Sequence, residues 1–256
     1  MRIGIEKFLA PLLAAGMMVT GSTAFAASWT LNATDIATGG QTANVNISGG
    51  PSVDISVQSG RTIQPKTTPA GTQTRGTSGG VNGEIDVSPD FFDMNFSENV
   101  FLSNFRVAWL FPDGEYSDVG NEVAVFETYD AGGNLIDDFF LEAQSPTSAQ
   151  FFSDASLSIS SLVAGVTVNN IELAQDSNPA SGGVWELVGA SIFGDFDTLR
   201  LVGGDKDKIE GSRDSDFSFV SAEGAVVVPV PAALPLMAAG LGLLGLARSR
   251  RKRIAA

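Results

Sequence analysis

"GEIDVSPDFFDMNFSENVFLSNFRVAWL", residues 83–110, decides the fold class. Phe92, Met94 and Phe96 fall on one side of an extended chain, and Phe91, Asp93 and Asn95 on the other. Successive side chains of a strand point to opposite faces, so this period of two predicts a half-buried strand. Phe105, Val107, Trp109 and Phe111 alternate in the same way with Asn104, Arg106, Ala108 and Leu110, which predicts a second strand as its neighbour. Outward from this pair the same rhythm marks Trp29–Ala33, Val53–Val57, Glu122–Tyr129, Leu135–Glu142, Val166–Ala174, Val184–Val188, Thr198–Val202 and Phe217–Val220. Asp130-Ala131-Gly132-Gly133-Asn134 has the residues of a hairpin connection between two of them. No segment between residues 28 and 227 sustains a helical period. The expected fold is all-β, a single two-sheet β-sandwich of jelly-roll type, with a signal helix before it and a transmembrane helix after it. Residues 59–83, rich in Gly, Thr, Ser and Pro, are expected as a long flexible loop. That loop holds Arg61, Lys66 and Arg75, so docking on the domain's own acidic face, or on anionic polysaccharide, is the alternative.

Composition removes several function classes. The chain contains no cysteine and no histidine, which excludes disulfides, thiol nucleophiles, Cys/His zinc sites and every catalytic triad that needs a histidine. Of 29 acidic and 15 basic side chains, residues 28–227 hold 28 and 8, a balance of −20. Nucleic acid is therefore not an expected partner of this region.

The two ends carry addresses. A basic start, an uncharged run from Phe8 to Val19 and small residues up to Ala24, Ala26 and Ala27 form the pattern of a secretory signal peptide, residues 1–27. At the other end Val228, Pro229, Val230, Pro231 and Ala232 precede an apolar stretch, and Arg248, Arg250, Arg251, Lys252 and Arg253 follow it. Residues 232–247 would span roughly 24 Å as a helix, near the ~30 Å of a bilayer core once flanking residues are added. The basic residues 248–253 would stay on the cytoplasmic side of the cytoplasmic membrane.

A proline motif, a glycine-rich apolar helix and a basic end, in that order, resemble the PEP-CTERM class of bacterial sorting signals in its Val-Pro-Leu-Pro-Ala variant. Valine replaces leucine here, at Val230. The resemblance covers residues 228–256. It implies an exosortase-type membrane peptidase as partner, which reads the tail and releases or transfers the protein to the envelope or beyond. A Pro-x-Pro segment, unable to join a helix or sheet, would stay extended and open to such an enzyme. "FDTLRLVGG" and "SDFSFVSAEG" are also similar to the closing strands of other such passengers, in architecture only.

Chemistry between the ends is sparse. No nucleophile elbow or phosphate-binding loop is present. Glu84, Asp86, Glu115, Glu122 and Glu127 are the conceivable acid–base carboxylates, and solvated strand or loop positions are the competing reading. No resident cofactor is expected. Calcium is the one candidate ion, because hard cations take oxygen ligands. Its densest ligand set is Asp205, Asp207, Glu210, Asp214 and Asp216, with Asp113, Glu115 and Asp118 second. Neither has the spacing of an EF-hand, and Lys206, Lys208 and Arg213 offset part of the first, which favours a solvated acidic turn. Trp29, Trp109 and Trp185 lie in strand patterns and are expected in the core, leaving Phe111 and Tyr116 as loop-end aromatics able to stack on sugars. The expected function is a non-catalytic, exported envelope or matrix protein sorted by exosortase. A permanently anchored single-span protein and a carbohydrate-binding module of the exopolysaccharide matrix are the alternatives.

Overall fold

A seventeen-residue strand organises the molecule. In the computed structural model, which describes residues 24–25, 28–87, 89–117, 120–178, 180–204 and 215–228, Phe92–Ala108 is one continuous strand. The order is β1 (Ala24–Phe25), β2 (Trp29–Asn32), β3 (Thr42–Asn46), β4 (Ser52–Val57), β5 (Ile63–Thr67), β6 (Gln73–Ser78), β7 (Asn82–Glu84) and β8 (Phe92–Ala108). There follow β9 (Val123–Tyr129), β10 (Leu135–Ser145), β11 (Ser148–Phe152), β12 (Val166–Glu172), β13 (Val184–Gly189), β14 (Phe196–Gly203) and β15 (Ser218–Val228). The signal segment apart from Ala24–Phe25, the sorting tail after Val228, and Asp118, Asp205, Asp207, Glu210 and Asp214 lie outside the described residues.

The strands form one large antiparallel sheet, ordered β11-β10-β9-β14-β8-β15-β6-β5 along its main path. The length of β8 lets its halves take different neighbours. Phe92–Phe96 lies between β4 and β14, whereas Asn104–Val107 lies between β13 and β15. The two expected neighbours in residues 91–111 are thus one strand. Both halves obey the same alternation, and the intervening residues 97–103 keep extended geometry by pairing with β15 through Val100, Phe101 and Leu102.

Aromatic rings from the two sectors meet in the middle, consistent with a β-sandwich. Phe105 of β8 stands edge-on to Phe126 of β9 at 5.6 Å, and Phe126 meets Phe217 at 6.0 Å. Trp29 of β2 lies 5.5 Å from Phe96, and Phe193 touches Phe105 and Phe126 at 5.5 and 5.2 Å. Each buried phenylalanine contributes ~1.5–3 kcal/mol of transfer free energy, and such ring pairs about 0.5–1.5 kcal/mol more. On the other face Asp93 and Arg200 are direct cross-strand partners, joined by two hydrogen bonds of 2.7 and 2.9 Å.

The β9–β10 hairpin forms where the sequence places it. Asp130 Oδ1 accepts from the backbone of Gly132 and Asn134 at 2.9 and 2.8 Å, and Gly133 takes a φ of 76° that its missing side chain permits.

Residues 59–83 correct the expectation of a flexible loop. β5 and β6 pair from Ile63↔Thr77 to Thr67↔Gln73, and β7 follows. Composition misleads because these strands satisfy polar groups rather than bury apolar ones. Thr74 and Thr77 are buried, and the buried Arg75 guanidinium donates to the Ile36 and Thr74 carbonyls at 3.1 and 2.8 Å. Pro65 is tolerated because β5 is a terminal strand. Arg61 and Lys66 dock on the domain's own Asp90 and Glu84.

Candidate functional site: a carboxyl cluster around Lys66

An isolated antiparallel bridge assembles the site. Ile85 and Phe217 exchange backbone hydrogen bonds of 2.6 and 3.1 Å, each with its side chain in the core. In such a pair the flanking residues point to the opposite face, which sets Asp86 across from Asp216 with Glu84 beside them. Ser218 Oγ donates to the Gly83 carbonyl at 2.5 Å and ties the same two segments together. Gly203 N donates to the Asp86 carbonyl at 3.0 Å, and Ser215 N to the Gly204 carbonyl at 2.9 Å. Glycine is required at 203, because a Cβ there would stand 1.9 Å from the Ser215 oxygen.

Lys66 reaches this face from β5. Its ammonium bonds Glu84 Oε1 and sits 3.9 Å from the centre of the Trp109 ring. Trp109, directly after β8, adopts a left-handed φ of 67° while its backbone N–H donates to the Gly182 carbonyl at 2.8 Å. One ammonium thus serves Glu84 and Asp216, and the charge of Asp86 acts on both of these carboxyls. Burial pushes Glu84 above the usual carboxylate range, with Lys66 opposing. Burial, then the charges of Glu84 and Asp86, push Asp216 up to about 7.

Nearby, Asp90 is buried but fully occupied: Arg61 Nε and Thr77 Oγ1 each donate to it at 3.0 Å. Among the described residues no group of three or more ligating side chains is arranged to hold a metal ion. The arrangement can store and release a proton.

The structure brings Glu84 and Asp86 together with Asp216, and disperses the other candidates that lie among the described residues. Glu115 Oε2 accepts from Asp176 N at 2.9 Å, Glu122 Oε2 from Phe111 N at 2.6 Å, and Glu127 Oε2 from the Tyr129 hydroxyl at 2.5 Å. Asp113 Oδ1 accepts from Gly120 N at 2.8 Å, closing its own loop. Trp29 and Trp185 are core residues, whereas Trp109 is half-buried. Phe111 is 5% exposed, so it is not a free loop-end platform; its burial follows from packing beneath Tyr116 at 4.6 Å. Tyr116 itself is exposed. Val228, first residue of the proline motif, is the last of β15, and Ala24 lies in β1. Pro229 to Ala232, the basic residues 248–253, Ala26 and Ala27 are outside the described residues. Lys66 and Trp109 were missed as site residues because one was read into a loop and the other into the core.

Searches of protein-family models, curated proteins and solved structures find nothing that matches this chain.

Proposed function

We propose that this chain is a non-catalytic, exported envelope or extracellular-matrix protein, a jelly-roll-like sandwich carried to the cell surface by a signal peptide. An exosortase-type peptidase sorts it through residues 228–256. The observation that carries this reading is the order of features from the last residue of β15 onward: Val228-Pro229-Val230-Pro231-Ala232, the apolar residues to Ala247, then Arg248, Arg250, Arg251, Lys252 and Arg253. Two structural facts support it. Residues 25–228 form one compact unit, and β15, paired with β8 and β2, has its last β8 partner at Val226. Cleavage within residues 228–232 would leave that pairing intact. The apolar segment would hold the chain in the cytoplasmic membrane until the cut, with its basic end in the cytoplasm. The mass of the mature C-terminus tests this reading: termination at the proline motif supports it, and a chain intact to Ala256 supports permanent anchoring instead.

A second reading is favoured by Tyr116. Its ring is 45% exposed, braced against Phe111 and held by a 3.0 Å hydroxyl contact to Ser181 Oγ, the form of a stacking platform for a matrix polysaccharide.

A further inference from the structure

Between Glu142 and Glu172 the chain carries a single charged residue, Asp154, although it holds 29 acidic and 15 basic side chains in all. This neutral stretch supplies β11, β12 and the segment joining them. Both strands end a run of pairing, β11 on β10 and β12 on β13. The outer side of β11 is covered, since Ser153 N donates to the Ser161 carbonyl at 2.9 Å and Val163 N to the Phe151 carbonyl at 3.0 Å. The outer side of β12 has no backbone partner among the described residues.

An apolar groove of about 260 Å³ opens beside this edge, lined by Ala149, Phe151, Leu162, Val163, Val166 and Val168. Leu162 in its wall, Ile159 on the segment leading to it, and Ile171 and Val188 on the outward face of β12 and β13 are four of the eight large apolar side chains exposed among the described residues. The contrast with β5 is direct. That terminal strand carries Pro65 and Lys66, which discourage pairing, whereas Val166–Ile171 contains no proline and no charge.

We propose that β12 is a self-association edge, pairing antiparallel with β12 of a second copy across a twofold axis at Asn169. The sheet then continues from one copy into the next, and the groove is covered. Charge selects this occupant. With a net charge of −14, two copies repel wherever carboxylates face each other, and this flank is where they meet without like charges opposed. The strand is also self-complementary in this register. Thr167 faces Ile171 of the second copy, Val168 faces Asn170, and Asn169 faces itself, on a closed isologous contact. Salt strengthens the association, because it screens the remaining repulsion over a Debye length of ~10 Å at 0.1 M.

The absence of cysteine makes the test clean. Asn169→Cys is introduced into the full chain, and cells displaying it are treated with copper phenanthroline or a short bismaleimide. Directly opposed Cβ atoms lie about 4.5–5.5 Å apart, within reach of the second reagent where the first falls short. A covalent dimer is expected from Asn169→Cys and not from Val81→Cys, which is 45% exposed on another part of the surface. Adding Ile171→Lys, at an exposed position, should reduce the Asn169→Cys dimer about tenfold, as a charge enters the apolar edge of both copies. Co-expressed Thr167→Cys and Ile171→Cys chains should join each other in preference to themselves, which reports the register without altering Asn169. Absence of a dimer at 169 with both reagents, equal cross-linking through Val81→Cys, or a dimer indifferent to Ile171→Lys overturns the proposal.

Discussion

Asp216→Asn should flatten the fall in stability expected between about pH 4 and pH 7. An aspartate in the unfolded chain titrates near ~3.9, whereas burial beside Glu84 and Asp86 pushes folded Asp216 up to about 7. Between those values the fold holds a proton that the unfolded chain has lost. The stability this contributes is complete below about pH 4 and disappears as pH rises through about 7. Glu84, also raised by burial, acts in the same direction. One such proton gives a slope of at most ~1.4 kcal/mol per pH unit, so pH 5 to 7 spans no more than about 3 kcal/mol. The Lys66 ammonium and the partial solvent access of Asp216 reduce this to roughly 1–2 kcal/mol. In a domain of this size that is a loss of about 3–6 °C in Tm. Asparagine has no proton to lose. Melting curves at pH 5, 6, 7 and 8 and constant ionic strength should show the parent falling and the variant nearly level, with the variant the more stable at pH 8. Parallel lines for the two proteins, or a less stable variant at pH 8, would refute the reasoning. Asp130 and Asp154, held low by hydrogen bonds from Asn134 and Ser156, act with the opposite sign and lose their contribution only in stronger acid.

Gly203→Ala should destabilise the fold by about 3 kcal/mol, because the new methyl meets backbone atoms of Ser215 and Asp86 rather than a flexible side chain; an unchanged denaturation midpoint would contradict the packing described there. For calcium, the acidic turn from Asp205 to Asp216 is expected to respond as a solvated surface, with equal Tm shifts in CaCl₂, MgCl₂ and NaCl at matched ionic strength. A calcium-specific gain approaching ~2.7 kcal/mol at hundredfold excess over Kd, removed by Asp205→Asn with Asp207→Asn, would instead establish an ion site.

The sequence made the buried half of the sheet legible. Phe92, Met94 and Phe96 alternate because one face of β8 packs against the facing sector, and all three are buried. The hairpin at Asp130–Asn134 was readable because its signal is local. β3, β5 and β6 left no such mark: Asn44, Lys66 and Thr74 satisfy themselves by hydrogen bonds and ion pairs, and these do not show as hydrophobic period. The carboxyl cluster was readable only in part. Glu84 and Asp86 stood among the acid–base candidates, whereas Asp216 stood among the calcium ligands. Their convergence depends on contacts such as Ser218 to Gly83, 135 residues apart. No spacing rule spans that distance, and Lys66 lay in a stretch whose composition suggested disorder.

The central claim is that residues 228–256 are a sorting signal and residues 28–227 its passenger. Its most direct test is intact-mass spectrometry of the mature protein from a producing cell, compared with the same cell lacking its exosortase. The mature chain should begin at Ala27 or Ser28 and end within or beside Val228–Ala232 when the peptidase is present, and should run to Ala256 when it is absent. A mature chain that retains Ala256 in both cells, or loses its tail equally in both, would contradict it.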